Sequence, residues 1–260
     1  MIDRKLAEQA AQILVARRLS GEQGEHLSEN YRPKNLEDAL AIQAAVSNLW
    51  CNTQDDSIGG WKCLLPSPDK QVLGSIFTST INTVPPIALR APSGNARVEP
   101  ELAFILGKDL PARDTPYTPA EIDAAIARVH LALELIHGRY HPSLSIGFPE
   151  SLADGLVNQG LFIGPAAQFE LADTPGEFTI EVRRADGRVN TLNGVHPNND
   201  PRAPVYWLVE FLRSRSQPLF AGQAIITGSF AGIIEIPLNE LVEINYANIG
   251  TMTVEFIAQT

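Results

Sequence analysis

Three glutamates and a lysine are the residues whose types and spacing could do chemistry in this chain. Glu99 and Glu101 stand two apart in Val98-Glu99-Pro100-Glu101-Leu102-Ala103-Phe104-Ile105-Leu106. In an extended chain residues i and i+2 share a face, so both carboxylates point the same way. From Leu102 to Leu106 both faces are apolar, the pattern of a strand covered on both sides. The acids therefore stand at the edge of a core, where two ionised carboxylates repel and partial burial raises the cost. A divalent cation or a shared proton answers that; a solvated strand end, with the acids facing water, is the alternative.

Glu134 lies between Leu133 and Leu135 with few polar neighbours, and an unpaired carboxylate there would be costly. Glu99, Glu101 and Glu134 together make an all-oxygen set of the kind that suits magnesium or manganese. A salt bridge from Glu134 to a base such as Arg139 is the competing reading. Lys62, in Gly60-Trp61-Lys62-Cys63-Leu64-Leu65, is either a snorkelling surface residue or a buried amine held against carboxylates; on its own run of sequence the surface reading is preferred. Beside a metal site it could shuttle protons or hold an anionic substrate. Asp154, in Leu152-Ala153-Asp154-Gly155, could be an acid or base, though Asp-Gly is also an ordinary turn.

Other patterns lead nowhere. Glu134-Leu135-Ile136-His137 imitates half of a di-iron helix motif, but the segment looks extended and no second Glu-x-x-His occurs. His196, before Pro197, reads as a surface residue. Without a phosphate-cradling glycine motif or a Gly-x-Ser-x-Gly elbow, a nucleotide enzyme and a serine hydrolase are disfavoured.

The elements that must position these residues follow from periodicity. Apolar side chains at Leu6, Ala10, Ile13 and Leu14 predict a helix over about residues 3 to 18, and Asn35 is the N-cap of a second through Trp50. Past Gly59-Gly60 the texture changes to short strands and turns, giving residues 1–58 as a helical section and 59–260 as a strand-dominated domain. Thr118-Pro119-Ala120-Glu121 is a capping box, predicting a helix with Ile122, Ile126 and Val129 on one face before a strand begins near His130. Strands are predicted over 160–168 and 178–184, the latter closed by an Asp186-Gly187 hairpin turn, a helix from Ala203-Pro204, and three closing strands over 223–227, 241–246 and 251–257.

With 260 residues the chain can bury a sizeable core. Its 30 acidic against 20 basic residues give a net charge of −10, which disfavours nucleic acid and anionic membranes as partners. No apolar run approaches the roughly 18 to 20 residues of a membrane span. The helical N-terminal pattern is unlike a signal peptide. Cys51 and Cys63 are expected to be reduced thiols in a cytoplasmic protein.

Five stretches taken together resemble a known family: Gly60-Trp61-Lys62-Cys63-Leu64-Leu65-Pro66-Ser67; Val98 to Leu110 with its Glu-Pro-Glu; Leu133-Glu134-Leu135-Ile136 with Arg139; Ala153-Asp154; and Gly222-Gln223 with Thr227-Gly228-Ser229. In order and spacing they are similar to the 2-keto-4-pentenoate hydratase and 4-oxalocrotonate decarboxylase branch of the fumarylacetoacetate hydrolase superfamily, from about residue 35 to the C-terminus. The resemblance implies an α+β fold, a mixed β-roll with an N-terminal helical section. It implies Mg2+ or Mn2+ on Glu99, Glu101 and Glu134, with Lys62 and Asp154 as catalytic residues, and Lys62, Leu65 and Ser67 binding substrate. The substrate would be a short 2-keto or 2-hydroxydienoate acid, hydrated by a metal-dependent lyase; the alternatives are a 4-oxalocrotonate-type decarboxylase or a non-catalytic partner subunit of one. A homo-oligomer, also able to join a related hydratase or decarboxylase, is the implied assembly. The chain departs from the family where Leu64-Leu65-Pro66-Ser67 replaces Gly-Leu-Thr-Ser, where His137-Gly138 replaces Asp-Ser, and where Gly155-Leu156-Val157 replaces Asn-Ala-Ser, losing a hydroxyl and an amide.

Overall fold

The computed structural model describes residues 2–67 and 70–259. Two helices open the chain, α1 (Arg4–Ser20) and α2 (Leu36–Gln54). Asp3 caps the first by accepting from the Lys5 N–H, and Asn35 caps the second by accepting from Asp38, each satisfying a donor that the first helical turn leaves free. Among the described residues fourteen strands and three further α-helices follow: β1 (Ile58–Cys63), β2 (Leu73–Phe77), β3 (Ile81–Asn82), β4 (Ile87–Leu89), β5 (Asn95–Leu106), α3 (Pro119–Asp123), β6 (Ile126–Ile136), α4 (Phe148–Ala153), β7 (Asn158–Ala166), β8 (Glu177–Arg184), β9 (Val189–Val195), α5 (Ala203–Ser214), β10 (Ala224–Ile226), β11 (Ile234–Pro237), β12 (Val242–Tyr246), β13 (Gly250–Val254) and β14 (Phe256–Ala258).

Eight strands form one mixed sheet in the order β2-β1-β10-β5-β6-β7-β3, with β11 pairing the outer half of β5. Strands β1 and β10, and β3 and β7, run parallel, the other pairs antiparallel. A second sheet, β13-β12-β8-β9, packs against the first through Ile180, Ile244, Tyr246 and Met252, which share the main core with Leu131, Leu133 and Phe162. This is the α+β architecture, a mixed sheet with an N-terminal helical section, that the family resemblance implies. Helices α1 and α2 bury a second cluster against Phe77 of β2 and Leu152 and Ala153 of α4. Gln43 of α2 reinforces that seam by donating to the carbonyls of Leu73 and Leu152.

Gly59 and Gly60 lie inside β1, not in a turn. A Cβ on Gly60 would stand 2.5 Å from the Ala224 carbonyl oxygen, so the close approach of β1 to β10 requires glycine. Pro100 sits mid-strand in β5, where its missing N–H ought to interrupt the ladder. Its carbonyl accepts from the Phe230 N–H, and a strand residue's N–H and C=O point to the same side. That side is the gap between β10, which pairs residues 103–105, and β11, which pairs residues 95–98, so no ladder bond is forgone.

The helix begun by the Thr118 capping box corrects the sequence expectation. Both reciprocal capping bonds form, yet the helix stops at Asp123 and Ile126 and Val129 already belong to β6, paired with Leu106 and Phe104 of β5. The periodicity of Ile122, Ile126 and Val129 fits one helix face, but a long buried partner strand outcompetes a local helical preference. Helix α4, too short to announce itself by periodicity, was not foreseen.

Candidate metal centre

The sheet brings the three glutamates together by register. Glu99 and Glu101 share a face of β5, and Glu134 of β6 lies directly opposite Glu99, the relation that sets side chains side by side. One carboxylate oxygen from each lies within 4.8 Å of the other two. Glu101 and Glu134 are 1 % and 0 % exposed; Glu99 is half-buried. Lys62 reaches the same face through two further pairings, Lys62 opposite Ile226 and Ile226 opposite Ala103. Ala103, Ala132, Ile226 and Leu161 floor that face, and the two alanines leave room above the sheet.

Lys62 is buried, contrary to its preferred reading from sequence alone. Its Nζ donates to both oxygens of Glu134 at 2.6 and 2.7 Å and to the Leu156 carbonyl at 3.3 Å. Gly74 clears space for the lysine stem, since a Cβ there would stand 3.0 Å from Lys62 Cγ. Burial by itself pulls the ammonium down, but the charge and hydrogen bonds of Glu134, with Glu99 and Glu101 behind it, outweigh burial and hold Lys62 above its ordinary value. Burial, then the charge of Glu134, pushes Glu99 up to about 7. Burial, Glu134 and Glu99 push Glu101 well above the usual carboxylate range, although the Gly228 N–H donates to its Oε2 at 2.7 Å.

Three acids thus face one ammonium in a largely dry site, and their charge is not balanced by protein groups. A set of carboxylate oxygens without nitrogen or sulfur suits a hard divalent cation, and added positive charge would relieve the repulsion that raises Glu99 and Glu101. The residues fit such an ion.

The remaining expected site residues lie outside this cluster. Asp154 caps α4 and is 4 % exposed, and it accepts from Arg139 Nε at 2.5 Å and from the Arg139 N–H at 3.3 Å. Arg139, the base weighed as a partner for Glu134, is thereby engaged by Asp154, and Lys62 takes its place at Glu134. The segment after Asp154 connects the two places: Gly155, Leu156 and Val157 have φ of 76°, 55° and 60°, a left-handed run unusual for a leucine and more so for a β-branched valine. It turns the Leu156 carbonyl towards Lys62. Leu65 and Ser67 lie on the exposed segment beyond β1, where the Leu65 N–H meets Asn198 Oδ1 at 3.2 Å and Ser67 bridges Lys70.

Sequence reading missed Asn158, which is buried and donates through Nδ2 to Glu134 Oε1 at 2.8 Å; an asparagine at the entry of an otherwise apolar strand was the available signal. It also missed the Gly228 N–H. His196, read as a surface residue, is buried, with Nε2 2.8 Å from the Thr227 carbonyl on the loop that carries Gly228. Its Pro197 neighbour suggested a loop correctly, but that loop is covered by Phe230, whose ring centroid lies 5.2 Å from the imidazole.

No family model matches the chain. The 2-keto-4-pentenoate hydratase of Paraburkholderia xenovorans (strain LB400) is 26% identical over 274 aligned positions, covering 96% of this chain and 94% of the relative. Among solved structures, the fold is similar to 4-oxalocrotonate decarboxylase from Pseudomonas putida G7 complexed with magnesium and adipate, with a TM-score of 0.78, 17% identity and 99% of both chains covered. It is also similar to a protein from Yersinia pestis CO92 assigned to the fumarylacetoacetate hydrolase family, with a TM-score of 0.52 at 17% identity, covering 78% of this chain and 94% of that one. The chain thus resembles 2-keto-4-pentenoate hydratases in sequence and proteins of the fumarylacetoacetate hydrolase family in fold. The resemblance read from Glu99, Glu101, Glu134 and their flanking motifs is thereby upheld, and the similarity extends over 96% of the chain. Among the described residues no helix is long and apolar enough to cross a membrane.

Proposed function

We propose that this protein is a metal-dependent lyase of the 2-keto-4-pentenoate hydratase type, adding water to a short 2-hydroxydienoate acid. The observation that carries the reading is the unbalanced charge of Glu99, Glu101 and Glu134 around Lys62, in a chain with a hydratase relative along nearly its whole length. The three glutamates would hold Mg2+ or Mn2+. When bound, such an ion supplies Lewis-acid polarisation of a 2-oxygen and attraction for the neighbouring carboxylate.

The chain's own residues do the rest. Glu101 and Glu134 are closed off from bulk water, so charges at the site act through a low dielectric. Lys62 holds an ammonium proton beside the acids and would exchange it with the substrate's carbon skeleton in the keto-enol step. Asn158 orients Glu134 through Nδ2. Asp154 acts as a positioning residue in this proposal: its pair with Arg139 anchors the left-handed segment that aims the Leu156 carbonyl at Lys62. Leu65 and Ser67 would meet the far end of the substrate from the rim. Cytoplasmic residence and a homo-oligomeric assembly belong to the same proposal.

The test is to offer 2-hydroxypenta-2,4-dienoate and longer homologues with Mg2+ and follow the loss of dienol absorbance. Turnover should vanish in EDTA, return with Mg2+ or Mn2+, and fall about 10²–10⁴-fold in Lys62→Met. No metal-dependent turnover at any chain length would reject the reading. Release of carbon dioxide from a 2-oxo-dicarboxylate, without hydration, would replace it by the decarboxylase alternative.

A further inference from the structure

A second concentration of charge, of opposite sign, lies where the end of α1 meets the sheet. A cavity of about 70 Å³ lies there, with Arg18, Trp50, Arg90, His137, Arg139 and Gln159 in its lining. Three of these are arginines, in a chain whose net charge is −10. Gln159 follows Asn158 in β7, and successive strand residues point to opposite faces. Since Asn158 turns towards Glu134, the cavity is on the side of β7 away from the glutamates.

Among the lining side chains only the three arginines carry a fixed charge. Arg139 is spent: besides Asp154 its guanidinium donates to the carbonyls of His137, Asn158 and Asp154. Arg18 is not. Its Nη2 donates to the Asn158 carbonyl at 3.0 Å, and the guanidinium lies over the rings of Trp50 and Phe77. Arg90 donates through Nη2 to the Leu19 carbonyl at 3.1 Å, while its Nε is buried with no partner. Gln159 fixes the Arg90 backbone with both ends of its amide, so this side chain starts from a braced position. Among the described residues no carboxylate makes an ion pair with Arg18 or Arg90. Burial, with Arg139 adding repulsion, pulls the Arg18 guanidinium down to about 9 although the charge of Asp154 works the other way.

We propose that this cavity is a binding site for a small oxyanion, gripped between the guanidiniums of Arg18 and Arg90 and separate from the glutamate centre. Its small volume suits a carboxylate group or inorganic phosphate and excludes a nucleotide. Planar guanidiniums are the donors best matched to both anions. The bound anion would join the last turn of α1 to the chain after β4 and brace the elements behind the Asp154 segment.

The test is the thermal midpoint of the full chain in inorganic phosphate, in acetate and in sodium chloride at one ionic strength, first in EDTA and then with excess Mg2+. Phosphate or acetate should raise the midpoint above the chloride value by about 3–5 °C for each tenfold of ligand beyond its Kd, equally with and without Mg2+. The more effective anion names the source as free phosphate or a carboxylate. Arg90→Met and Arg18→Met should each remove the shift. Midpoints equal in all three salts would overturn the proposal without any variant having to fold. So would a shift that needs Mg2+, which would place the anion at the glutamates, or one that survives in both variants.

Discussion

Two clusters of buried charge flank α4 and the left-handed segment after it, and they are built on opposite principles. In one, Arg139 and Asp154, 1 % and 4 % exposed, meet at 2.5 Å, and the remaining guanidinium donors end on backbone carbonyls. Charge and hydrogen bonds are closed within the protein. In the other, Glu99, Glu101 and Glu134 face a single Lys62, and two of the three acids are pushed up. A closed pair holds a loop in place; an open set stores an unmet demand for positive charge, and that demand is where chemistry is to be sought.

The largest expected effect falls on the closed pair. Asp154→Asn leaves Arg139 buried without its counter-charge and should cost about 3–5 kcal/mol of unfolding free energy, read by urea denaturation and the same with or without Mg2+. A loss confined to activity, with stability intact, would make Asp154 a chemical group instead of an anchor. Lys62→Met probes the open set. In metal-free protein it removes the one cation facing three acids and should cost about 3 kcal/mol, but saturating Mg2+ should return most of the stability while activity stays lost. If Mg2+ restores nothing, the two clusters do not differ in kind.

The smallest effect is the most discriminating, because acid should act on the two regions with opposite signs. Glu99 sits at about 7 when folded, against roughly 4.3 for a free glutamate. Between those values the folded chain keeps a proton that the unfolded chain has lost, so its contribution to metal-free stability falls as pH rises from about 4.5 to 7. His137 is pulled down to about 4 by burial and by Arg139, against roughly 6.5 when unfolded. There the unfolded chain takes the proton first, and stability falls as pH drops from about 6.5 to 4. Glu99→Gln should lessen the first slope, the raised Glu101 supplying the remainder, and His137→Asn should flatten the second, each measured as unfolding free energy against pH.

How far these regions could be read without coordinates depends on whether their determinants are local. The shared face of Glu99 and Glu101 is a property of one strand and was legible. So were the Asn35 cap, the Thr118 capping box and the Asp186-Gly187 turn, because each uses residues within four positions of one another. The meeting of Lys62 with Glu134 is set by four paired strands, a register that no single run of sequence contains, and the lysine taken alone looked like a surface residue. The same non-local pairing ended the helix at Asp123, where Ile126 and Val129 joined β5. It took family resemblance to put Lys62 beside the acids before the strands were seen to do so. Asp154 shows the limit of that aid: resemblance named the residue, and only the structure reveals its partner.

The central claim is that Glu99, Glu101 and Glu134 together hold one hard cation, and calorimetric titration of Mg2+ or Mn2+ into metal-free protein tests it most directly. A single saturable site per chain is predicted, with protons released on binding below pH 7 and with affinity lowered at least about tenfold in Glu134→Gln, the acid that Asn158 and Lys62 orient. No saturable binding, or the same affinity in Glu134→Gln as in the unaltered chain, would contradict the account.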